Sequence, residues 1–188
     1  RSKNIFSLLS NFKNTFFTIS IDGFGDVNKY IRWPSDWNTL TKNIKKIITI
    51  SPNISVNVTV SMYNVIKLYD LIVYLESVLP SPATILLNQA SPEHFSPFNF
   101  PNKELAISRL EKLKCTNSYK NEQHFSSQVN YFINMIKKSV VNIDNLNKFF
   151  TYNDALDQHR KVFLVDYIPE VDACRQYIYE CGYHTQNE

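Results

Sequence analysis

Two segments alternate polar and apolar residues, and helical patterns lie between them; no other feature restricts the fold as tightly. In Phe17-Thr18-Ile19-Ser20-Ile21-Asp22-Gly23 the polar side chains are Thr18, Ser20 and Asp22. In Ile54-Ser55-Val56-Asn57-Val58-Thr59-Val60-Ser61 they are Ser55, Asn57, Thr59 and Ser61. Successive strand residues point to opposite faces, so this period of two predicts strands that are dry on one side and wet on the other. A helix between such strands implies a parallel crossover. Parallel strands ordinarily read as unbroken apolar runs because helices cover both faces. A parallel strand with a polar face therefore predicts helices on one side only and a sheet that curls around a polar cavity, the barrel or half-barrel arrangement.

The helical patterns are legible. Ser35 or Asp36 can cap a helix carrying Leu40, Ile44, Ile47 and Ile48 at helical spacing, with Lys42, Lys45 and Lys46 outward. Ser51-Pro52-Asn53 ends it. Leu68, Leu71, Ile72 and Leu75 form the stripe of the next helix, closed by Pro80-Ser81-Pro82, and residues 83–88 read as a third strand. Residues 23–34 and 89–101 read as loops, and 116–122 as a polar linker. Asn102 caps a helix through about Lys114, with Leu105, Leu110 and Leu113 inward. Phe125, Val129, Phe132, Ile133 and Ile136 mark an amphipathic helix, and residues 144–160 another. Residues 163–168 read as extended, and Pro169 opens a last helix that ends near Gly182.

The expected architecture is α/β: a partial parallel (β/α) barrel of about three βα units over residues 1–114, half of a complete barrel, with a helical extension over 115–188. A chain of 188 residues is enough for one domain with a sizeable core. The formal charge of +3 is small, and the lysines fall on solvated helix faces, so no nucleic-acid stripe is expected. Cys115, Cys174 and Cys181 have no regular spacing, which excludes a secreted disulfide framework. They and the four histidines form no metal-ligand spacing. Three glycines in all exclude the Gly-rich phosphate loops. No apolar run approaches the roughly 20 residues of a membrane helix and no signal peptide is visible, so the expected compartment is cytoplasmic. The chain opens at Arg1 with a segment that reads like the tail of a helix, so it is expected to be the C-terminal part of something longer.

One stretch resembles a known family. Ile19-Ser20-Ile21-Asp22-Gly23, followed by Tyr30-Ile31-Arg32, Ser35-Asp36-Trp37 and Asn43-Ile44, resembles the fourth strand and following helix of radical S-adenosylmethionine enzymes with a twitch or SPASM extension. Residues 53–64 are similar to the fifth strand and 83–88 to the sixth. Ala155-Leu156-Asp157-Gln158-His159-Arg160 is similar to a C-terminal segment of uncharacterised members. The resemblance implies a cavity holding S-adenosylmethionine and a [4Fe–4S] cluster. By position, Ser20 and Asp22 would reach the ribose or methionyl part of the cofactor. Arg32 would take the methionyl carboxylate, to which a planar bidentate donor is suited. Asn57 and Thr59 would line the same cavity, and Leu87 or Asn88 would meet the adenine. Such a cluster needs Cys-x3-Cys-x2-Cys, which this chain lacks. The resemblance therefore implies a wall of the cofactor cavity that is inactive alone. Its expected partners are the missing N-terminal half or a second copy, bound at the exposed edge of the first strand.

The alternative is a small non-catalytic α/β binding or interaction module. On that reading Ser20, Asn57 and Thr59 face water, Asp22 forms a turn with Gly23, and Arg32-Trp33-Pro34 is a stacked surface cluster. The phenylalanines around Pro97 are expected to pack, and His94 to be exposed.

Overall fold

A computed structural model describes residues 5–12, 14–80 and 83–181. Three parallel strands, β1 (Phe17–Ser20), β2 (Ile54–Val60) and β3 (Thr84–Gln89), lie in the order β1-β2-β3. The helices are α1 (Ile5–Leu9), α2 (Asp26–Ile31), α3 (Trp37–Ile50), α4 (Leu68–Val78), α5 (Lys103–Glu111), α6 (Asn117–Asn121), α7 (Gln123–Lys138), α8 (Ile143–Arg160), α9 (Leu164–Tyr167), α10 (Pro169–Asp172) and α11 (Arg175–Glu180). The α/β class and the parallel sheet match the expectation. The described strands form an open sheet that does not close into a barrel.

The register explains the alternation. Ile19, Val56 and Ile85 stand in one row, Thr18, Ser55 and Thr84 in the adjacent one, and Ser20 stands beside Asn57 and Leu86. The apolar rows join Leu71, Ile72 and Leu75 of α4 and Val129, Phe132 and Ile136 of α7 in one continuous core. On the other face Thr18, Ser20, Thr84 and Asn88 are exposed and Asn57, Thr59 and Leu86 half-buried. One face of the sheet is therefore packed and the other is wet.

Local chemistry sets the helix ends. Asp36 accepts the Thr39 N–H at 2.7 Å and Asn102 accepts that of Leu105 at 3.0 Å, each capping its helix as the sequence indicates. The single helix expected from Pro169 is broken at Ala173-Cys174 into α10 and α11, and three further segments differ from the sequence reading. The 23–34 loop contains α2, whose Val27, Asn28 and Tyr30 are buried. The 116–122 linker contains α6, capped by Thr116 and tied to α4 by Glu76, which accepts the N–H groups of Asn117 and Ser118. Residues 163–168 are not extended: the Asp157 carboxylate accepts the Leu164 N–H at 2.7 Å and starts α9. Gly182 and His184 lie outside the described residues.

The two outer edges of the sheet are finished differently. Phe17 and Ile21 donate to Asn53 and Asn57. The odd residues of β1 thus pair with β2, and the backbone groups of Thr18 and Ser20 point outward. On β3 the outward residues are Ile85, Leu87 and Gln89. Gln128 of α7 accepts the Leu87 N–H at 2.9 Å and donates to its carbonyl at 2.8 Å, in the manner of a neighbouring strand. Burial and, second, the Glu76 charge raise the Glu122 carboxyl pKa, and the nearby Ile85 N–H offsets part of that. Tyr131 donates to the Gln89 side chain at 3.2 Å.

Candidate functional site

The carboxyl ends of the three strands converge on one region, where open parallel sheets bind ligands. Its first component is Asp22. Beyond Ser20 the ladder between β1 and β2 ends, and the two chains separate. Asp22, just past β1, spans the gap: Oδ1 accepts the Thr59 N–H at 2.7 Å, and Oδ2 accepts Arg32 through Nε at 2.8 Å and Nη2 at 2.7 Å. Asn64 closes the same gap from the loop after β2. Its Nδ2 donates to the carbonyls of Asp22 at 2.6 Å and Thr59 at 2.7 Å, while its Oδ1 accepts the Ser61 N–H at 2.8 Å. Gly23 is required next to Asp22, because a Cβ there would lie 2.7 Å from the Asn28 nitrogen.

Above this clamp is a cavity of about 210 Å³. Asp22, Thr59, Ser61 and Ser91 supply its polar lining, and Arg160 its cation. Tyr30, Tyr63, Phe95 and Tyr152 form its aromatic walls, with ring centroids 5.8 Å (Tyr30–Tyr63), 5.9 Å (Tyr63–Phe95) and 5.2 Å (Phe95–Tyr152) apart. Helix α8 fastens these walls from behind. Asn153 Oδ1 accepts the Tyr63 hydroxyl at 2.8 Å, and the single Tyr30 hydroxyl proton is shared between Asn153 Oδ1 at 2.9 Å and Asp157 Oδ1 at 2.8 Å. Asn153 Nδ2 donates to the Phe149 carbonyl at 2.6 Å, which orients the amide. Burial, reinforced for Tyr30 by Asp157, raises both phenol pKa values far above the ordinary tyrosine range, so both rings stay neutral. With their hydroxyls engaged on α8, Tyr30 and Tyr63 offer the cavity mainly ring surface.

The structure sorts the residues singled out from sequence. Asp22, Arg32 and Thr59 come together in the clamp. Ser20, Asn57 and Asn88 stand on the open polar face below it, Asn88 beside Thr59 and Ser20 beside Asn57. Leu87 belongs to the core face. Arg32 is half exposed, and its Nη1 has no partner among the described residues. His94 is half-buried against Phe95, ring centroids 4.2 Å apart; burial and, second, the Lys148 charge lower its pKa. Phe98 and Phe100 pack as expected, whereas Phe95 lines the cavity. Sequence reasoning missed Tyr30, Tyr63, Asn64 and Asn153. The helix at 144–160 was expected, and only its tail at 155–160, which holds Asp157 and Arg160, was singled out for function.

The thiols do not fit an iron–sulfur cluster, which needs thiolates held together. Cys174 is buried and its thiol is pushed up to about 12 by that burial, while Cys115 and Cys181 are exposed. Among the described residues no group of three or more His, Cys, Asp and Glu side chains is placed to hold a metal ion. No described helix is long and apolar enough to cross a membrane. No family model, curated protein or solved structure matches the chain.

Proposed function

We propose that this chain is one wall of an S-adenosylmethionine-binding cavity in a parallel α/β enzyme of the radical S-adenosylmethionine kind, inactive without a segment that supplies the cluster thiolates. The observation that carries the reading is the polar face of the sheet. Ser20, Asn57, Thr59 and Asn88 share it, it is open, and it leads upward to the cavity at the strand carboxyl ends. A polar face on a parallel sheet costs core packing, and lining a ligand site accounts for that cost. Arg32 supports the same reading: Asp22 fixes the guanidinium through Nε and Nη2, and Nη1 is left to meet a carboxylate. If S-adenosylmethionine binds, it supplies the radical chemistry, and the residues of this chain orient it.

The open edge of β1 is where the rest of the sheet would join. Thr18 and Ser20 present outward backbone groups, and Phe12 and Phe16 beside them are 65% and 64% exposed. An unpaired edge flanked by apolar side chains accepts a strand. A segment that completes the barrel, or a second copy of the chain, would pair there.

Amide resonances followed during titration with S-adenosylmethionine test the cofactor reading. The expected result is shifts at Ser20, Asn57, Thr59 and Asn88 and at the Arg32 side chain. No change at these positions at millimolar cofactor overturns it.

A further inference from the structure

We infer that the cavity at the strand ends binds a small carboxylate carrying one aromatic ring, with Arg160 as the anchor for the carboxylate. Three observations lead there. The first is charge. Asp22, the acid in the lining, is already neutralised by Arg32 and the Thr59 N–H. Arg160, at the end of α8, makes no ion pair or hydrogen bond among the described residues. Its guanidinium instead lies over the Trp33 ring, 5.4 Å from the centroid. This cation–π contact uses none of the guanidinium N–H groups, so they remain to meet a carboxylate. The second is the wall chemistry. Four aromatic rings line one part of the space, with Asp22, Thr59, Ser61, Ser91 and Arg160 around the rest, and an aromatic ring fills the first part by offset or edge contacts. The third is size. About 210 Å³ is below the roughly 300–1,000 Å³ of pockets for drug-sized ligands, which limits the occupant to about one ring and its substituents.

The inference goes beyond the cofactor reading and does not depend on it. The cavity has walls of its own from Tyr30, Tyr63, Phe95 and Tyr152, whereas the polar face of the sheet is open. A cationic guest is the competing occupant of an aromatic box, and the free Arg160 charge opposes it.

Benzoate, benzamide and benzylamine share a shape and differ in charge, so they separate these cases. Binding is read from Trp33 fluorescence and from shifts at Ser61, Ser91 and Tyr152. Benzoate is expected to bind more tightly than benzamide, and benzylamine least. Arg160→Gln is expected to weaken benzoate about tenfold or more and to leave benzamide unchanged. Arg160→Lys is expected to recover part of the loss. Tyr152→Leu, at the exposed rim, is expected to weaken benzoate and benzamide alike. Equal binding of the three probes, a preference for benzylamine, absence of benzoate binding, or an unchanged benzoate affinity in Arg160→Gln each overturns the inference. Ser20, Asn57 and Asn88 lie outside the cavity lining, so their response to S-adenosylmethionine reports separately on the cofactor reading.

Discussion

The sheet has two outer edges, and the chain treats them as opposites. The β3 edge is covered: Gln128 pairs with the N–H and carbonyl of Leu87 at its middle, and α7 lies along it. Among the described residues nothing pairs with the β1 edge, and β1 is only four residues long against six in β3. A sheet that meant to stand alone would protect both edges or twist them away. Here one edge is closed with side chains that mimic a strand, which bars any continuation beyond β3. The other is left ready for pairing. The asymmetry leaves β1 as the edge at which the proposed partner strand would pair.

The short strand at the open edge needs fastening, and Asp22 provides it. Ser51 holds the start of β1 by donating to the Thr15 carbonyl at 2.5 Å, and Asp22 holds its end to β2. Asp22→Ala strands the Thr59 N–H and removes the partner of Arg32. Because Arg32 is half exposed and rehydrates, the expected loss is about 2–3 kcal/mol, below that for breaking a fully buried pair. Chemical denaturation measures it. Asp22→Asn, which keeps an oxygen for Thr59, is expected to lose less. A loss under about 0.5 kcal/mol for the alanine variant would show that β1 is held by its ladder alone.

Gln128→Leu attacks the finished edge. It leaves the Leu87 N–H and carbonyl without their partner while keeping an apolar body on α7. The expected cost is about 1–3 kcal/mol, together with greater self-association as a second edge opens. A stable variant that associates no more than the parent would mean that the bulk of α7, and not the amide, protects β3.

How far these features were legible depended on sequence distance. The period-two pattern in residues 17–23 and 54–61 disclosed both faces of the sheet, and the caps at Asp36 and Asn102 stood next to the stripes they start. The helix α2 was hidden because Asp26–Ile31 is too short to show a stripe and sits between glycines and Trp33-Pro34. The edge closure was not legible at all: Gln128 and Leu87 are 41 residues apart, and a glutamine on a helix face reads as solvated. The Tyr30–Asn153 bond, across 123 residues, has the same character. The polar clamp was half legible. Asp22 and Arg32 were visible as a strand end and a following cation, but not as partners of each other. A carboxylate in sequence does not reveal that the backbone beside it has parted and needs an acceptor.

The smallest effect on stability, and the most direct reading of the open edge, comes from Ser20→Pro. Proline lacks the N–H and is tolerated in a strand where that group faces outward. The Ser20 N–H does so, because the ladder to β2 uses its odd-numbered neighbours. The Ser20 side chain is exposed and makes no hydrogen bond among the described residues. Stability is therefore expected to change by no more than about 1 kcal/mol, most of it from the backbone angle that proline imposes. Association behaves differently, since the variant removes a donor from the middle of the pairing edge and places a ring where the incoming strand would lie. Light scattering at micromolar concentration is expected to show the parent chain as a dimer or larger and Ser20→Pro as a monomer. A monomeric parent removes the strand-pairing reading of β1. A parent and variant that associate equally move the contact to the exposed Phe12 and Phe16, away from the backbone edge.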